Sequence, residues 1–253
     1  MGPRHAGLGG MMGWARLVAS ICLLSAVGAA SSDPFAIPPR PLSYDASKDA
    51  LYESFGEGET FYCGCPYGDK EVDLGACDLS ARKNESRALR TEAEHVVPIS
   101  WWKRERDSSC WDDDICRTST GNEYGGRRCC RKLDPVFAAA EGDLHNLRLA
   151  VGEINGDRSN RPFGQVVGEK RPYGDACDIE VNFEVDKVEP PQSLRGDIAR
   201  VHFYMIGVYG IQVPSSYLEL LKQWHRADPV SESEREYNDW VERVQGNRNP
   251  YIR

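Results

Sequence analysis

Eight cysteines constrain this chain more than any other feature: Cys63, Cys65, Cys77, Cys110, Cys116, Cys129, Cys130 and Cys177. A ninth, Cys22, lies in the apolar run Leu17–Val27, which Arg4 and Arg16 precede and Gly28-Ala29-Ala30 follow. That layout reads as a signal peptide over residues 1–30, cleaved after Ala29 or Ala30. The run is short for a membrane span, so an uncleaved anchor is the lesser alternative. Cleavage leaves an even number of cysteines in an exported chain, which predicts four disulfides, although eight cysteines admit 105 pairings. Zinc is the competing reading, but neither Cys63-x-Cys65 nor Cys129-Cys130 has the C-x₂-C spacing of zinc knuckles. The mature chain of roughly 220 residues has the length of one compact domain, with no internal repeat.

Within it, the stretch Arg90–Trp102, RTEAEHVVPISWW, sets the acid Glu94 beside the imidazole His95 on a strand-like run through Val96 and Val97 that Pro98 stops. Neighbours on a regular strand face opposite ways, so these two can share a site only at a strand end or bend. A second polar cluster follows, GDLHNL at Gly142–Leu147 and GEINGDRSN at Gly152–Asn160. An acid, a histidine and several asparagines in two distant segments suggest a hydrolytic centre around a hard metal ion.

Other long motifs accompany these clusters in order: FYCGC at Phe61–Cys65, GGR at Gly125–Arg127, Tyr173-Gly-x-x-Cys177, RGDIAR at Arg195–Arg200 and VQGNRNPY at Val244–Tyr251. From about Tyr44 to Arg253 the chain resembles the endonuclease I family, secreted and periplasmic DNA/RNA nucleases with a ββα-metal active site. The resemblance implies an α+β fold in which a ββα-metal core is embedded in a mostly helical, disulfide-stapled single domain. Residues 31–44, rich in proline, would be an extended lead-in, and residues 45–253 the nuclease domain. Trp111–Tyr124 departs from the family pattern as an insertion that adds Cys116, Cys129 before Cys130 being the other additional cysteine, and this extra pair would clamp the insertion.

Local signals give the elements. Asp45 can cap a helix reaching Phe55; Thr60–Cys63 reads as a strand and Pro66–Asp69 as a turn. Asp134-Pro135 has the form of an N-cap and first helical residue. The resemblance favours a short strand at Asn146–Ala150, then a helix from about Val151. Ser216-x-x-Glu219 and Ser231-x-x-Glu234 both have the capping-box form, and Gly246 ends the last helix. Cys63, Cys65 and Cys77 are expected to tie to distant cysteines, since longer loops restrict the unfolded chain more.

Phosphodiester hydrolysis near neutral pH needs a base for water, charge on the phosphate and help for the leaving oxygen. The resemblance implies His95 as general base, Glu94 and Asn155 as ligands to Mg²⁺ (or Mn²⁺ or Ca²⁺), and Arg127 on the scissile phosphate. Asn146 would support the His95 loop, with His145 as its rival. Arg158 shares a helix face with Asn155 and reads equally as a phosphate contact or as a salt bridge to Glu153 or Asp157. Products would carry 5′-phosphate and 3′-hydroxyl ends.

Net charge resists this reading. The chain is formally −8, so it cannot hold nucleic acid by bulk charge. Local basic groups, Arg82, Lys83, Arg87 and Arg90, then Arg127, Arg128, Arg131 and Lys132, would have to meet the phosphates, yet Glu85, Glu92 and Asp112–Asp114 lie among them. The expected partners are DNA and RNA through their backbones, with no membrane in the mature form and a monomeric state. The competing functions are a nuclease-like module that binds without cutting and a phosphoesterase acting on small substrates.

Overall fold

The computed structural model describes residues 2, 33–104, 109–168 and 171–253. The expected signal peptide lies outside these residues. Ser31–Arg253 form one compact unit.

Helix α1 (Tyr44–Ser54) is capped by Ser43, whose hydroxyl accepts from the Ala46 amide at 3.2 Å. The expected cap, Asp45, instead sits in the first turn, where its charge suits the helix dipole. Strands β1 (Glu57–Glu59), β2 (Pro66–Gly68) and β3 (Glu71–Val72) form an antiparallel three-stranded sheet. The strand expected at Thr60–Cys63 is a turn: the Thr60 hydroxyl and carbonyl accept from the amides of Cys65 and Gly64, closing the loop. The turn expected at Pro66–Asp69 falls later, where Asp69 and Lys70 both take positive φ between β2 and β3.

Helix α2 (Glu85–Ala88) leads into β4 (Thr91–His95). The strand ends at His95, so Val96 and Val97 lie in the bend beyond it. Helix α3 (Ser109–Asp112) runs into the insertion, which holds the two-residue antiparallel strands β5 (Cys116–Arg117) and β6 (Glu123–Tyr124). Helices α4 (Gly126–Leu133) and α5 (Pro135–Glu141) follow. Asp134 caps α5 as expected, accepting from the amides of Val136 and Phe137.

Strand β7 (Leu147–Val151) pairs antiparallel with β4 from Thr91↔Val151 to His95↔Leu147, and α6 (Gly152–Arg158) follows at once. This strand–strand–helix unit is the ββα core the resemblance implies, shifted one residue along the chain. A hairpin of β8 (Glu180–Asn182) and β9 (Lys187–Glu189) precedes three helices, α7 (Arg195–Tyr209), α8 (Ser215–Ala227) and α9 (Glu232–Gln245). Ser231 and Glu234 form the predicted capping box at α9, and Gly246 stops it in the left-handed region. Ser216 caps nothing, because the chain already enters α8 at Pro214 and leaves that serine inside the first turn.

The core joins this sheet to α7. Leu144, Leu147 and Ile154 are buried with Ile198, Val201 and Met205. Asp143 fastens the two parts: its carboxylate accepts from the hydroxyls of Tyr204 and Tyr209, each at 2.7 Å, from the His145 amide and from Gln245 Nε2.

All eight mature cysteines pair, as Cys63–Cys177, Cys65–Cys77, Cys110–Cys130 and Cys116–Cys129. Cys116–Cys129 clamps the insertion. The long-range expectation holds for Cys63 but not for Cys65, whose partner Cys77 is 12 residues away.

Candidate active site

Glu94 and His95 both close the end of β4, and both are buried. Their surroundings differ, as strand alternation requires. Glu94 Oε1 accepts from the Tyr62 hydroxyl at 2.9 Å and from Arg158 Nη1 at 3.0 Å. Oε2 has no hydrogen bond among the described residues. Burial pushes this carboxyl up to about 7 despite Arg158 and Tyr62, which favour the charged form.

His95 lies against α1, its ring stacked on Tyr44 with centroids 5.1 Å apart. Its Nε2 is 2.8 Å from the backbone carbonyl of Glu141. A carbonyl can only accept, so Nε2 carries the hydrogen and Nδ1 is left as the acceptor. Burial, reinforced by the charge of Arg127, lowers the imidazole to about 4, so it is neutral across the physiological range.

Glu141 organises the other side of the ring. Its fully buried carboxylate binds both Arg127 and Arg131. Arg127, at the start of α4, also lies over Tyr44, 4.9 Å from the ring centroid. Tyr44 thus touches both His95 and Arg127. Arg127 Nη2 is buried and has no hydrogen-bond partner among the described residues. Asn146 brackets the bend after His95: its Oδ1 accepts from the Val97 amide at 2.7 Å, and its Nδ2 donates to the Val97 carbonyl at 2.9 Å. His145 is buried elsewhere, against Tyr204 and the Asn247 carbonyl.

Asn155 and Arg158 both lie on α6, which packs on β4. Asn155 Nδ2 donates to Glu92 Oε2 at 3.0 Å. Arg158 is not where the sequence reading puts it. Its side chain is 0% exposed and bonds Glu94 and the carbonyls of His95 and Val96, so it presents no surface to a phosphate. Glu153 and Asp157, the salt-bridge partners expected for it, are engaged elsewhere. Glu153 accepts from the amides of Arg82, Lys83 and Asn84, and Asp157 pairs with Arg82. Sequence reasoning also missed Tyr44, Tyr62, Glu92 and Glu141, whose contacts with His95, Glu94 and Asn155 come from distant parts of the chain.

The sequence profile described as Endonuclease I matches residues 44–253, which include every residue of this site. The chain belongs to that family. An extracellular deoxyribonuclease of Aeromonas hydrophila is 36% identical over 94% of this chain and 97% of its own length. A periplasmic deoxyribonuclease of the same organism is 38% identical over 80% of each chain. An extracellular ribonuclease of Bacillus subtilis is 32% identical over 46% of each. This Endonuclease I member is accordingly a nuclease, and with four disulfides and exported relatives it belongs outside the reducing cytoplasm. No helix among the described residues is long and apolar enough to cross a membrane.

Nucleases of this family generally depend on a divalent cation. Among the described residues no cluster of three or more His, Cys, Asp or Glu could hold a metal ion. Two side-chain oxygens nearby have no hydrogen bond among the described residues: Glu94 Oε2, and the carbonyl of Asn155, whose amide nitrogen donates to Glu92. One carboxylate and one amide oxygen suit a hard cation such as Mg²⁺, which keeps several of its waters.

Proposed function

We propose that this Endonuclease I member is an exported, sequence-nonspecific endonuclease that hydrolyses DNA, and RNA as well, to 5′-phosphate and 3′-hydroxyl ends. Its relatives named deoxyribonuclease and ribonuclease support the substrate class. Contacts confined to phosphate carry no sequence information, which accounts for the lack of specificity.

The hydrogen bond from His95 Nε2 to the Glu141 carbonyl carries the mechanistic reading. It fixes the tautomer and leaves Nδ1 to take a proton from the attacking water, with Tyr44 holding the ring plane. Arg127, its Nε held on the Glu141 carboxylate, presents a partly exposed guanidinium to the phosphate oxygens as they gain negative charge. Asn146 keeps the backbone after His95 in its bend. Glu94 and Asn155 would hold Mg²⁺, or Mn²⁺ or Ca²⁺ in its place. When bound, the cation neutralises a phosphoryl oxygen and stabilises the departing 3′ oxygen. Arg158 acts from behind Glu94, fixing that carboxylate rather than touching substrate.

The test is plasmid cleavage with Mg²⁺, beside gel-shift affinity and melting temperature. His95→Ala should lose at least roughly a hundred- to ten-thousand-fold in rate while binding at temperatures well below its lowered melting point stays near wild type. Full cleavage by that variant would put the base elsewhere. Intact binding with no cutting by the wild type, with or without chelator, would favour a non-cutting module.

A further inference from the structure

The amide of Asn155 could in principle present either its oxygen or its nitrogen to a cation, and only the oxygen is a useful ligand for a hard ion. What decides the orientation lies outside the residues assigned so far. Glu92, two residues before Glu94 and on the same face of β4, accepts the Asn155 Nδ2–H at 3.0 Å. Its carboxylate is itself held on several sides. Arg87 binds it through Nε at 2.9 Å and Nη2 at 2.7 Å, and Arg90 binds it through Nε at 3.2 Å and Nη2 at 2.8 Å.

We propose that Glu92 is a positioning residue that, clamped by Arg87 and Arg90, aims the Asn155 carbonyl oxygen at the catalytic cation. The proposal rests on the reading of Asn155 as a metal ligand. A carboxylate can only accept, so rotating the amide would set Asn155 Oδ1 against a negative charge and lose the bond. The clamp therefore selects one of two amide orientations before any cation arrives.

Two glycines of the GEINGDRSN motif make room for it. A Cβ at Gly152 would come within 2.6 Å of the Arg87 carbonyl and 3.0 Å of Glu92 Oε1, and one at Gly156 within 2.1 Å of Arg87 Nη1. Helix α6 is thus seated directly on the Arg87–Glu92 pair. That pair is partly exposed, with Arg87 at 36% and Glu92 at 21%, and ion pairs in such settings add little to folding. A bidentate pair with small stabilising value, next to which two glycines are required, fits a part whose function is orientation.

The experiment uses the mature chain with its disulfides intact, and Mn²⁺ as the probe, titrated calorimetrically in the absence of nucleic acid. Glu92→Gln is the informative variant. It keeps the shape, but its own amide can donate to Asn155 and so allow the rotated orientation. Its Mn²⁺ dissociation constant should rise about tenfold or more, while the melting temperature moves by no more than about 4 °C. In an Asn155→Ala background the same change should add less than about twofold, because the clamp then has nothing to aim. Arg87→Gln, which loosens the grip but leaves the acceptor, should weaken Mn²⁺ in the same direction by less.

Unchanged Mn²⁺ affinity in Glu92→Gln, with weakened affinity in Asn155→Ala, overturns the clamp and leaves the ligand assignment standing. An equal loss in both backgrounds also overturns it, since Glu92 would then act without Asn155. Unchanged affinity in Asn155→Ala alone overturns the ligand assignment, and the clamp with it.

Discussion

Arg158 offers the sharpest test of this structure, because sequence spacing and three-dimensional placement disagree about it. Its guanidinium is fully buried, bonded to Glu94 at 3.0 Å and to the carbonyls of His95 at 2.8 Å and Val96 at 2.5 Å. Arg158→Ala would leave the Glu94 carboxylate without its counter-charge and two carbonyls without a donor. Breaking a buried pair from one side costs roughly 3–5 kcal/mol. For a domain of this length each kcal/mol lowers the melting temperature by about 2–4 °C, so the expected drop is roughly 6–20 °C. The assay is thermal unfolding under oxidising conditions, followed by circular dichroism. Arg158→Met in a Glu94→Gln background should lose less than the sum of the two single changes, since no charge remains stranded. An Arg158→Ala protein that melts within about 1 °C of wild type but binds DNA weakly would refute the reasoning and return the arginine to the substrate.

Further outcomes follow from the same geometry. Replacing Cys63 and Cys177 by serine should destabilise more than replacing Cys65 and Cys77, by about 5 against about 3 kcal/mol from loop lengths of 114 and 12; denaturant melts of the two double variants check the order. Burial raises the Glu141 carboxyl, but hydrogen bonds and charge from Arg131 and Arg127 outweigh it and hold the group below its usual 4.5. That contribution is complete above the ordinary glutamate range and lost as pH falls through the depressed value. Melting temperature should therefore decline less steeply below about pH 4.5 in Glu141→Gln than in wild type. DNA affinity should depend weakly on salt, with roughly two to five counterions released; a slope near ten would contradict local phosphate contacts.

Much of the site was legible because its residues sit in long ordered motifs. EHVVP and GEINGDRSN point to the two strands and the helix, and the Asp134-Pro135 and Ser231-x-x-Glu234 signals were satisfied locally, as capping chemistry is. Long-range choices were not legible. Arg158 had two acids at helical spacing, yet its partner is Glu94, 64 residues away. Glu92 read as one more solvated acid among basic residues, and only the approach of α6 gives it Asn155 as a neighbour. Strand β1, Glu57–Glu59, is fully exposed and has no apolar alternation, so nothing in its composition separates it from a loop. Ser216 failed as a cap because its local pattern says nothing of where Pro214 turns the chain into the helix.

The acidic balance of the chain, an objection to nuclease function at first sight, follows from how the site is built. Five of its basic side chains, Arg82, Arg87, Arg90, Arg127 and Arg131, are held by carboxylates. Arg127 and Arg131 share Glu141, Arg87 and Arg90 share Glu92, and Arg82 pairs with Asp157. Each of the first two clusters has two guanidinium groups against one acid, so each keeps an excess positive charge in a fixed geometry. A free lysine or arginine would contribute the same charge with greater conformational freedom, and would bind phosphate wherever it met it. Held guanidinium groups favour one approach of the backbone over others. Such preorganisation would stabilise charge that develops during the reaction more than charge that merely binds, which reconciles a formal charge of −8 with nuclease function.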